Sequence, residues 1–254
     1  MQIENQIALI TGAASGMGAA TAKYLAARGA KVAILDHDQS AAEQLAQEIQ
    51  GLALGCDVTN ADQVTQAFTQ VEQKFGTPRI VINCAGICPG KLIVNKDQTA
   101  MPLEDFSRVI NVNLIGTFNV LRVAAASMSK LSLINEEERG VIINTASIAA
   151  YEGQIGQIAY SASKGGVVSM TLPAARELAR YGIRVVTIAP GLVETPMLQG
   201  LPTEVQANLA AAIPFPKRFG KTTEFAQLVE QIIANPLLNG TTIRLDGALR
   251  MQPK

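Results

Sequence analysis

The chain has 254 residues, of which 48% are hydrophobic and 17% are charged. Its 21 lysines and arginines balance its 21 aspartates and glutamates, so no net positive charge attracts nucleic acid. No apolar run approaches the roughly 18 residues of a membrane span, and the first predicted strand begins almost at once. We therefore expect a cytoplasmic protein without a targeting segment that binds neither membrane nor nucleic acid.

A glycine-rich loop follows the first predicted strand, residues 5–11, and precedes a helical pattern that extends to Ala27. Gly12, Gly16 and Gly18 give the spacing Gly-x-x-x-Gly-x-Gly. Glycines allow a tight turn and a close approach of the backbone to a pyrophosphate. The N-terminus of the helix adds free N–H groups and the positive end of its dipole. The pattern predicts a dinucleotide-binding loop.

The second predicted strand, residues 31–36, ends in a carboxylate that bears on the choice of cofactor. At this distance from the glycine loop, Asp36 suits the ribose hydroxyls of adenosine and would repel a 2′-phosphate. Ala13, Ala14 and His37 offer no lysine or arginine for such a phosphate. These residues favour NAD over NADP. His37, the single histidine, is interpreted as a loop residue rather than a catalyst.

The next two predicted strands, residues 52–58 and 79–86, supply further candidate cofactor contacts. At the end of the first, an aspartate is expected to accept a hydrogen bond from the adenine amino group, and the next residue offers its backbone N–H. At the end of the second, an asparagine suits a strand-to-loop hydrogen bond before a glycine turn. These candidates are Asp57, Val58, Asn83, Cys84, Ala85 and Gly86.

A long helix is predicted over residues 103–131, after an irregular loop from 89 to 102. Asn113 lies in the middle of this helix, where an asparagine is unfavourable unless its amide has partners. We expect it to order a water molecule beside Lys164, and the alternative is a polar residue on a wet helix face. Residues 135–139 are predicted to be a solvated connector.

The centre of the sequence is a strand over residues 140–146 that is followed by Ser147 and by a helix carrying Tyr160 and Lys164. Tyr160 and Lys164 are four residues apart and therefore share one helix face. An ammonium one turn away is expected to lower the pKa of the tyrosine. The serine hydroxyl can share a substrate oxygen with the phenol. The three residues predict transfer of a proton to or from an alcohol oxygen.

The last third of the chain is predicted to cover the ligand. A strand over residues 182–189 ends in a turn at Pro190 and Gly191, and a substrate lid is predicted over about 195–218. The final strand is predicted over residues 241–247. Two glutamines, Gln154 and Gln157, are candidate substrate contacts before Tyr160. The apolar lid side chains are Leu198, Leu201, Val205, Leu209, Ile213 and Phe215.

Strands and helices alternate along the whole chain, with no linker or repeat, which predicts one α/β domain with a parallel sheet over residues 1–254. The three cysteines, Cys56, Cys84 and Cys88, lack the spacing of zinc ligands or of a disulfide framework. We expect no metal and assign the thiols to packing.

Taken together, these motifs resemble those of the short-chain dehydrogenase/reductase family. The resemblance covers the whole chain and implies a doubly wound Rossmann domain with seven strands and a homotetramer. It implies Tyr160 as the acid/base, Ser147 as the substrate-orienting residue, Lys164 on the nicotinamide ribose and Asn113 as the relay residue. It also implies further NAD contacts at Ser15, Met17, Cys84, Val193 and Thr195.

The function predicted from this resemblance is NAD-dependent oxidation of a secondary alcohol, with short or branched 3-hydroxyacyl-CoA esters favoured and hydroxysteroids as further substrates. Two alternatives remain open at this point: a sugar-alcohol dehydrogenase and a 3-oxoacyl-carrier-protein reductase. A third, remote alternative is a scaffold subunit that binds NAD. The loop at 90–102 and the lid match the family less closely, and both are expected to shape the substrate pocket.

Overall fold

The computed structural model describes residues 1–195, 198 and 202–253. In this part of the chain, seven parallel strands form one sheet in the order β3-β2-β1-β4-β5-β6-β7. This result confirms the predicted doubly wound α/β fold. The strands are β1 Ile7–Thr11, β2 Lys31–Asp36, β3 Leu52–Gly55, β4 Ile80–Asn83, β5 Gly140–Thr145, β6 Ile183–Pro190 and β7 Thr242–Leu245.

Helices cover both faces of the sheet, and each face has its own apolar core. One core joins the sheet to the first, second and last helices, and includes Leu25 and Phe225. The other joins it to the third, fifth and sixth helices, and includes Phe68 and Met128. The helices are α1 Gly16–Ala26, α2 Gln39–Ile49, α3 Ala61–Lys74, α4 Leu103–Ile110, α5 Gly116–Met128, α6 Ile158–Leu178, α7 Thr203–Ala211 and α8 Thr222–Ala234.

The strand order reverses between β1 and β4, because β1 pairs with β2 on one side and with β4 on the other. In open parallel sheets, ligands bind outside the carboxyl ends of the strands at such a switch point. The glycine loop after β1 and the turn after β4 meet there. The sheet therefore places the predicted cofactor residues and, after the neighbouring strand β5, Ser147 on the same edge.

The long helix predicted over residues 103–131 is interrupted. A π-helical turn, Asn111–Ile115, separates α4 from α5, and the backbone N–H of Gly116 donates to the carbonyl of Asn111 five residues earlier. The hydroxyl of Thr117 donates to the carbonyl of Asn113 at 2.7 Å. Such bulges are frequent at functional sites. The turn is centred on the one residue of this helix that the sequence singled out.

The segment Leu103–Met128, taken through this turn, has the length and apolar composition of a membrane span. Half of its most apolar window is nevertheless buried inside the protein. A core helix that packs against a sheet has the same length and composition, so this segment gives only weak support for membrane insertion.

The connector at residues 135–139 was expected to be solvated, and this prediction is wrong for Glu138. Its side chain is buried, and its Oε2 atom accepts a hydrogen bond from Nε of Arg184 at 3.0 Å. Arg184 lies on β6 and also donates to backbone carbonyls at the end of α8. Because a buried charge is costly unless it is paired, this ion pair accounts for the burial of both residues.

Candidate active site

The glycine loop has the geometry of a phosphate cradle. Gly12 and Gly16 have φ angles of 61° and 55°, which favour glycine. A Cβ atom at Gly12 would lie 2.6 Å from the Cα atom of Ala85, and one at Gly18 would clash with the carbonyl of Gly12. Ser15 precedes α1 in an extended conformation without a side-chain cap. The first backbone N–H groups of α1 are thus available to an anion.

The carboxylate of Asp36 lies against this loop. It is buried, and its Oδ2 atom accepts a hydrogen bond from the backbone N–H of Ala14 at 2.9 Å. Its Oδ1 atom accepts from the N–H of Asp38 at 3.1 Å and lies 3.0 Å from Nδ1 of His37, whose imidazole is exposed. Each carboxylate oxygen can accept two hydrogen bonds. The residues around the loop fit a dinucleotide whose ribose hydroxyls donate to Asp36.

Two more predicted cofactor residues follow β3 and differ in exposure. Asp57 is exposed, and its Oδ1 atom accepts from both the N–H and the hydroxyl of Thr59. Val58 is buried, and its carbonyl accepts from the amide of Asn119 on α5 at 2.8 Å. Both residues lie beyond the carboxyl end of β3. The residues predicted for the outer edge of the adenosine site are therefore tied to α5 by one buried hydrogen bond.

At the end of β4, the predicted cofactor residues can offer backbone atoms to a cofactor rather than side chains. The amide of Asn83 is buried and donates to Oδ1 of Asn144 on β5 at 2.9 Å, so its side chain links two strands. The Sγ atom of Cys84 accepts from the hydroxyl of Thr145, and burial raises the pKa of this thiol to about 11. The turn at Gly86 is exposed. Asn83 is thus unsuited to touch a cofactor through its side chain.

The residues predicted to be catalytic come together at the end of β5. Ser147 begins a single 3₁₀ turn and accepts the N–H of Ala149 at 3.1 Å. Its hydroxyl lies near enough to the phenol of Tyr160, in the first turn of α6, to lower the pKa of that phenol. Lys164 is buried one turn later, and its Nζ atom donates to the carbonyl of Thr145 at 2.7 Å. This geometry presents one phenol and one hydroxyl to a single substrate oxygen.

The pKa values of Tyr160 and Lys164 differ from the sequence-based prediction. Burial, with a smaller contribution from Cys88, raises the pKa of Tyr160 to about 12, and the hydroxyl of Ser147 offsets part of this rise. Burial also lowers the pKa of Lys164 to about 8. The prediction that Lys164 lowers the tyrosine pKa is wrong for this structure, because the ammonium faces the carbonyl of Thr145, 5.7 Å from the phenol ring centroid. Tyr160 is therefore a phenol at neutral pH.

The amide of Asn113 is fully buried and is satisfied by protein groups. Its Oδ1 atom accepts the N–H of Ile87, and its Nδ2 atom donates to the carbonyl of Ile87 and to Oγ of Ser163. The alternative of a wet helix face is therefore wrong. The amide ties the turn after β4 to α6, so Asn113 positions the helix that carries Tyr160 and Lys164.

Both predicted substrate glutamines are engaged by neighbouring backbone. The side-chain amide of Gln154 donates to the carbonyl of Gln252 at 3.1 Å. The Oε1 atom of Gln157 accepts the backbone N–H of Gln154 at 3.0 Å. The side-chain Oε1 atom of Gln154 and the side-chain Nε2 atom of Gln157 have further hydrogen-bonding capacity. The glutamines are therefore held in place, and their remaining capacity can serve a ligand.

The turn after β6 leads to the lid. The N–H of Gly191 donates to the carbonyl of Leu245, and Val193 is buried in a parallel bridge with Gly220. Thr195 accepts the N–H of Leu198 at its carbonyl. Pro190, the last residue of β6, is buried as well. These contacts carry the chain from the sheet towards the catalytic residues.

The described part of the lid has one apolar face. Ile213 is buried against Ile148, next to Ser147, and Leu198 and Leu209 pack against the same cluster. Val205 and Phe215 are exposed instead, so these two predicted wall residues do not pack in this structure. The predicted wall residue Leu201 and the start of the lid at Pro196 and Met197 lie outside the described residues.

Two positioning groups were missed by sequence reasoning. The carbonyl of Thr145 holds Lys164, and the backbone of Ile87 holds Asn113. The position of Thr145, the last residue of a strand two places before Ser147, was the available signal for the first. No local pattern marks Ile87, because backbone groups carry no sequence signature.

Comparison with known proteins identifies the family. The sequence pattern of short chain dehydrogenases matches residues 6–206. The chain belongs to the short-chain dehydrogenase family. Within it, the chain is 52% identical over 254 residues to 3-hydroxyacyl-CoA dehydrogenase type-2 from Rattus norvegicus. The aligned region covers 99% of this chain and 97% of that protein. This short-chain dehydrogenase is therefore an enzyme, an oxidoreductase that uses a nicotinamide cofactor and a small-molecule substrate.

Two solved structures resemble this dehydrogenase. The 3-hydroxyacyl-CoA dehydrogenase type-2 from Mycobacterium avium superposes with a TM-score of 0.94 at 40% identity, covering 98% of each chain. The 3-ketoacyl-(acyl-carrier-protein) reductase from Brucella melitensis, solved with NADH, has a TM-score of 0.86 at 31% identity, covering 98% of this chain and 100% of that one. The reductase is the more distant of the two.

Proposed function

We propose that the enzyme oxidises a short or branched 3-hydroxyacyl-CoA to the 3-oxoacyl-CoA, reversibly, with NAD as the cofactor. The observation that carries the chemistry is the pairing of Ser147 and Tyr160 at the end of β5. The substrate class is supported by the full-length similarity to 3-hydroxyacyl-CoA dehydrogenases. Hydroxysteroids are proposed as slower substrates, because they too are apolar secondary alcohols.

The phenol of Tyr160 exchanges the proton of the reacting oxygen. Because its pKa lies far above neutrality, it is suited to donate this proton to the carbonyl of a 3-oxoacyl group. In the oxidation direction only the deprotonated form of Tyr160 can receive the alcohol proton, so oxidation should be favoured at high pH. Ser147 holds the substrate oxygen beside the phenol. A bound nicotinamide ring supplies the hydride acceptor or donor.

Lys164 and Asn113 act through position and charge. The ammonium of Lys164 is fixed by the carbonyl of Thr145 in a buried site on the same helix face as Tyr160. The ammonium has three N–H donors and uses one on Thr145, so two are left for a ligand. We propose that Lys164 also binds the ribose next to the nicotinamide. Asn113 fixes the position of α6 relative to the turn at Gly86.

The choice of NAD rests on Asp36. Replacing Asp36 with alanine removes a charged acceptor of the ribose hydroxyls, so NAD affinity should fall about 10- to 100-fold. NADP affinity should change less, since the alanine also removes the repulsion of the 2′-phosphate. Fluorescence titration of both cofactors measures the two affinities. Asp62→Ala, on the exposed first turn of α3, is the matched control. A wild type that already prefers NADP would contradict this assignment.

The apolar wall favours an acyl chain over a small polar alcohol. Leu198 and Leu209 are partly buried and pack against the apolar cluster of Ile148 next to Ser147. Apolar surface buried on such a face contributes about 25 cal/mol per Å². A polyol bound there would lose its hydrogen bonds to water without gaining hydrogen bonds to the protein. This argument disfavours the sugar-alcohol alternative, while the carboxylate of Asp36 disfavours a reductase that depends on NADPH.

A substrate comparison tests the proposal. At saturating NAD, 3-hydroxybutyryl-CoA or its 2-methyl homologue should be oxidised with a higher kcat/KM than free 3-hydroxybutyrate or a sugar alcohol. Preference for the free acid or the polyol would reject the acyl-CoA assignment and keep the dehydrogenase chemistry. Binding of NAD without turnover of any of these alcohols would favour the scaffold alternative.

We further propose that the enzyme is a homotetramer in the cytoplasm. Support comes from large apolar side chains that lie exposed on the helices along one side of the sheet, including Ile115, Phe118 and Leu172. Exposed apolar surface of this kind is typical of an interface between subunits. Light scattering on the purified protein measures the assembly, and a monomer at micromolar concentration would contradict the proposal.

A further inference from the structure

The end of the chain returns to the active site after β7. We call residues 247–253 the C-terminal strap and residues 151–157 the catalytic loop. The amide of Gln154 donates to the carbonyl of Gln252 at 3.1 Å. The backbone N–H of Ile155 donates to the carbonyl of Pro253 at 3.0 Å. The strap thus holds the catalytic loop immediately before the helix that carries Tyr160.

An ion pair also links the catalytic loop to strand β7 of the sheet. Two nitrogens of Arg244, on β7, donate to the two carboxylate oxygens of Glu152 in the catalytic loop, each at 2.8 Å. The Nε atom of Arg244 donates to Asp246 at 2.7 Å. Arg244 and Glu152 are 23% and 24% exposed, so water screens the pair only in part. A bidentate pair of this kind fixes both distance and orientation.

The strap is also anchored next to Ser147. The carbonyl of Leu249 accepts hydrogen bonds from Arg244 and Arg250, at 3.1 and 2.8 Å. The side chain of Leu249 is buried in the cluster that contains Ile148, the residue after Ser147. One segment therefore contacts the neighbourhood of Ser147 on one side and the catalytic loop on the other.

We propose that the C-terminal strap and the Arg244–Glu152 pair are a specificity-determining device that sets the position of Gln154 and Gln157 against the substrate. This inference rests on the proposed function for the identity of the substrate. Arg244 and Glu152 are positioning residues, since they act through the catalytic loop. Tyr160 and Lys164 are held separately, by α6 and by the carbonyl of Thr145.

This separation gives the device a kinetic signature. Loosening the catalytic loop should weaken binding of the substrate, because the glutamines lose their fixed geometry. It should affect proton transfer less, because Tyr160 is held by the helical hydrogen bonds of α6 and Lys164 by the carbonyl of Thr145. The adenosine part of the cofactor site lies at the ends of β1 and β2, whereas β7, which leads into the strap, is the edge strand on the other side of the switch point. We expect KM to rise about tenfold while kcat changes less than about threefold.

Two variants and one control test the inference. Glu152→Gln removes the charge of the ion pair, and deletion of residues 252–254 removes the two strap carbonyls. Glu230→Gln is the control, because it breaks a comparable pair with Arg28 at the far end of α1. The measurements are KM and kcat for 3-hydroxybutyryl-CoA, NAD affinity, and hydrogen exchange of the catalytic loop without substrate.

The expected result is faster exchange in the catalytic loop and a higher KM in both test variants, with NAD affinity and the control variant unchanged. Exchange and KM equal to those of Glu230→Gln would overturn the inference. A parallel loss of NAD affinity and melting temperature would also overturn it, since this indicates a general structural role. If the wild type does not oxidise the acyl-CoA, the proposed function fails, and the exchange data still decide whether the strap holds the loop.

Discussion

Tyr160→Phe is expected to lower turnover by about 10²-fold or more, the contribution typical of a positioned general acid/base. The variant loses only the phenol hydroxyl near Ser147, so the packing of the ring on α6 is retained. NAD affinity should stay close to that of the wild type. Steady-state rates in both directions and a cofactor titration measure the two effects.

Tyr181→Phe is the matched control for this substitution, because Tyr181 packs under the sheet away from the catalytic residues. Near-normal turnover of Tyr160→Phe would show that another group carries the proton. Equal losses in the two variants would point instead to a general loss of stability.

Lys164→Met is expected to change how stability depends on pH. Burial lowers the pKa of Lys164 from 10.5 to about 8. Between these two values the unfolded chain binds more protons than the folded protein, so the free energy of unfolding rises with pH. The rise is at most about 3 kcal/mol, at about 1.4 kcal/mol per pH unit. Denaturant unfolding between pH 7 and pH 11 should show it as a growing difference between the wild type and Lys164→Met, because Tyr160 and the buried thiols, whose pKa values are raised, titrate in both proteins and oppose the rise.

The control for this second prediction is Lys74→Met, because Lys74 is exposed at the end of α3. It should keep the pH dependence of the wild type. The same slope in Lys164→Met would mean that Lys164 does not titrate in this range. Lys164→Met should also lower turnover and NAD affinity together, since we assign Lys164 to the ribose that places the nicotinamide beside Tyr160.

The fold was predictable because its signals are local. The apolar runs of the strands, the glycines after β1 and the cap at Asn60 all act within a few residues, and each appears in the structure. The alignment of Ser147, Tyr160 and Lys164 was predictable for the same reason. A strand end and one helical turn place all three.

The parts that sequence reasoning missed depend on residues far apart in the chain. Glu138 is buried because Arg184, 46 residues later, pairs with it. The π turn forms where Asn113 bonds a backbone group 26 residues earlier. The pKa of Tyr160 depends on burial by the whole site, which a four-residue spacing does not reveal. The contact between Gln154 and the strap spans 98 residues.

The most direct test of the central claim follows one hydrogen atom. The wild type is incubated with NAD and 3-hydroxybutyryl-CoA that carries deuterium on the carbinol carbon, and the products are analysed by mass spectrometry. The account predicts that 3-oxoacyl-CoA forms together with reduced cofactor that contains the deuterium. It predicts a rate at least about 10²-fold lower in Tyr160→Phe. Absence of reduced cofactor, or release of the deuterium into water, would contradict it.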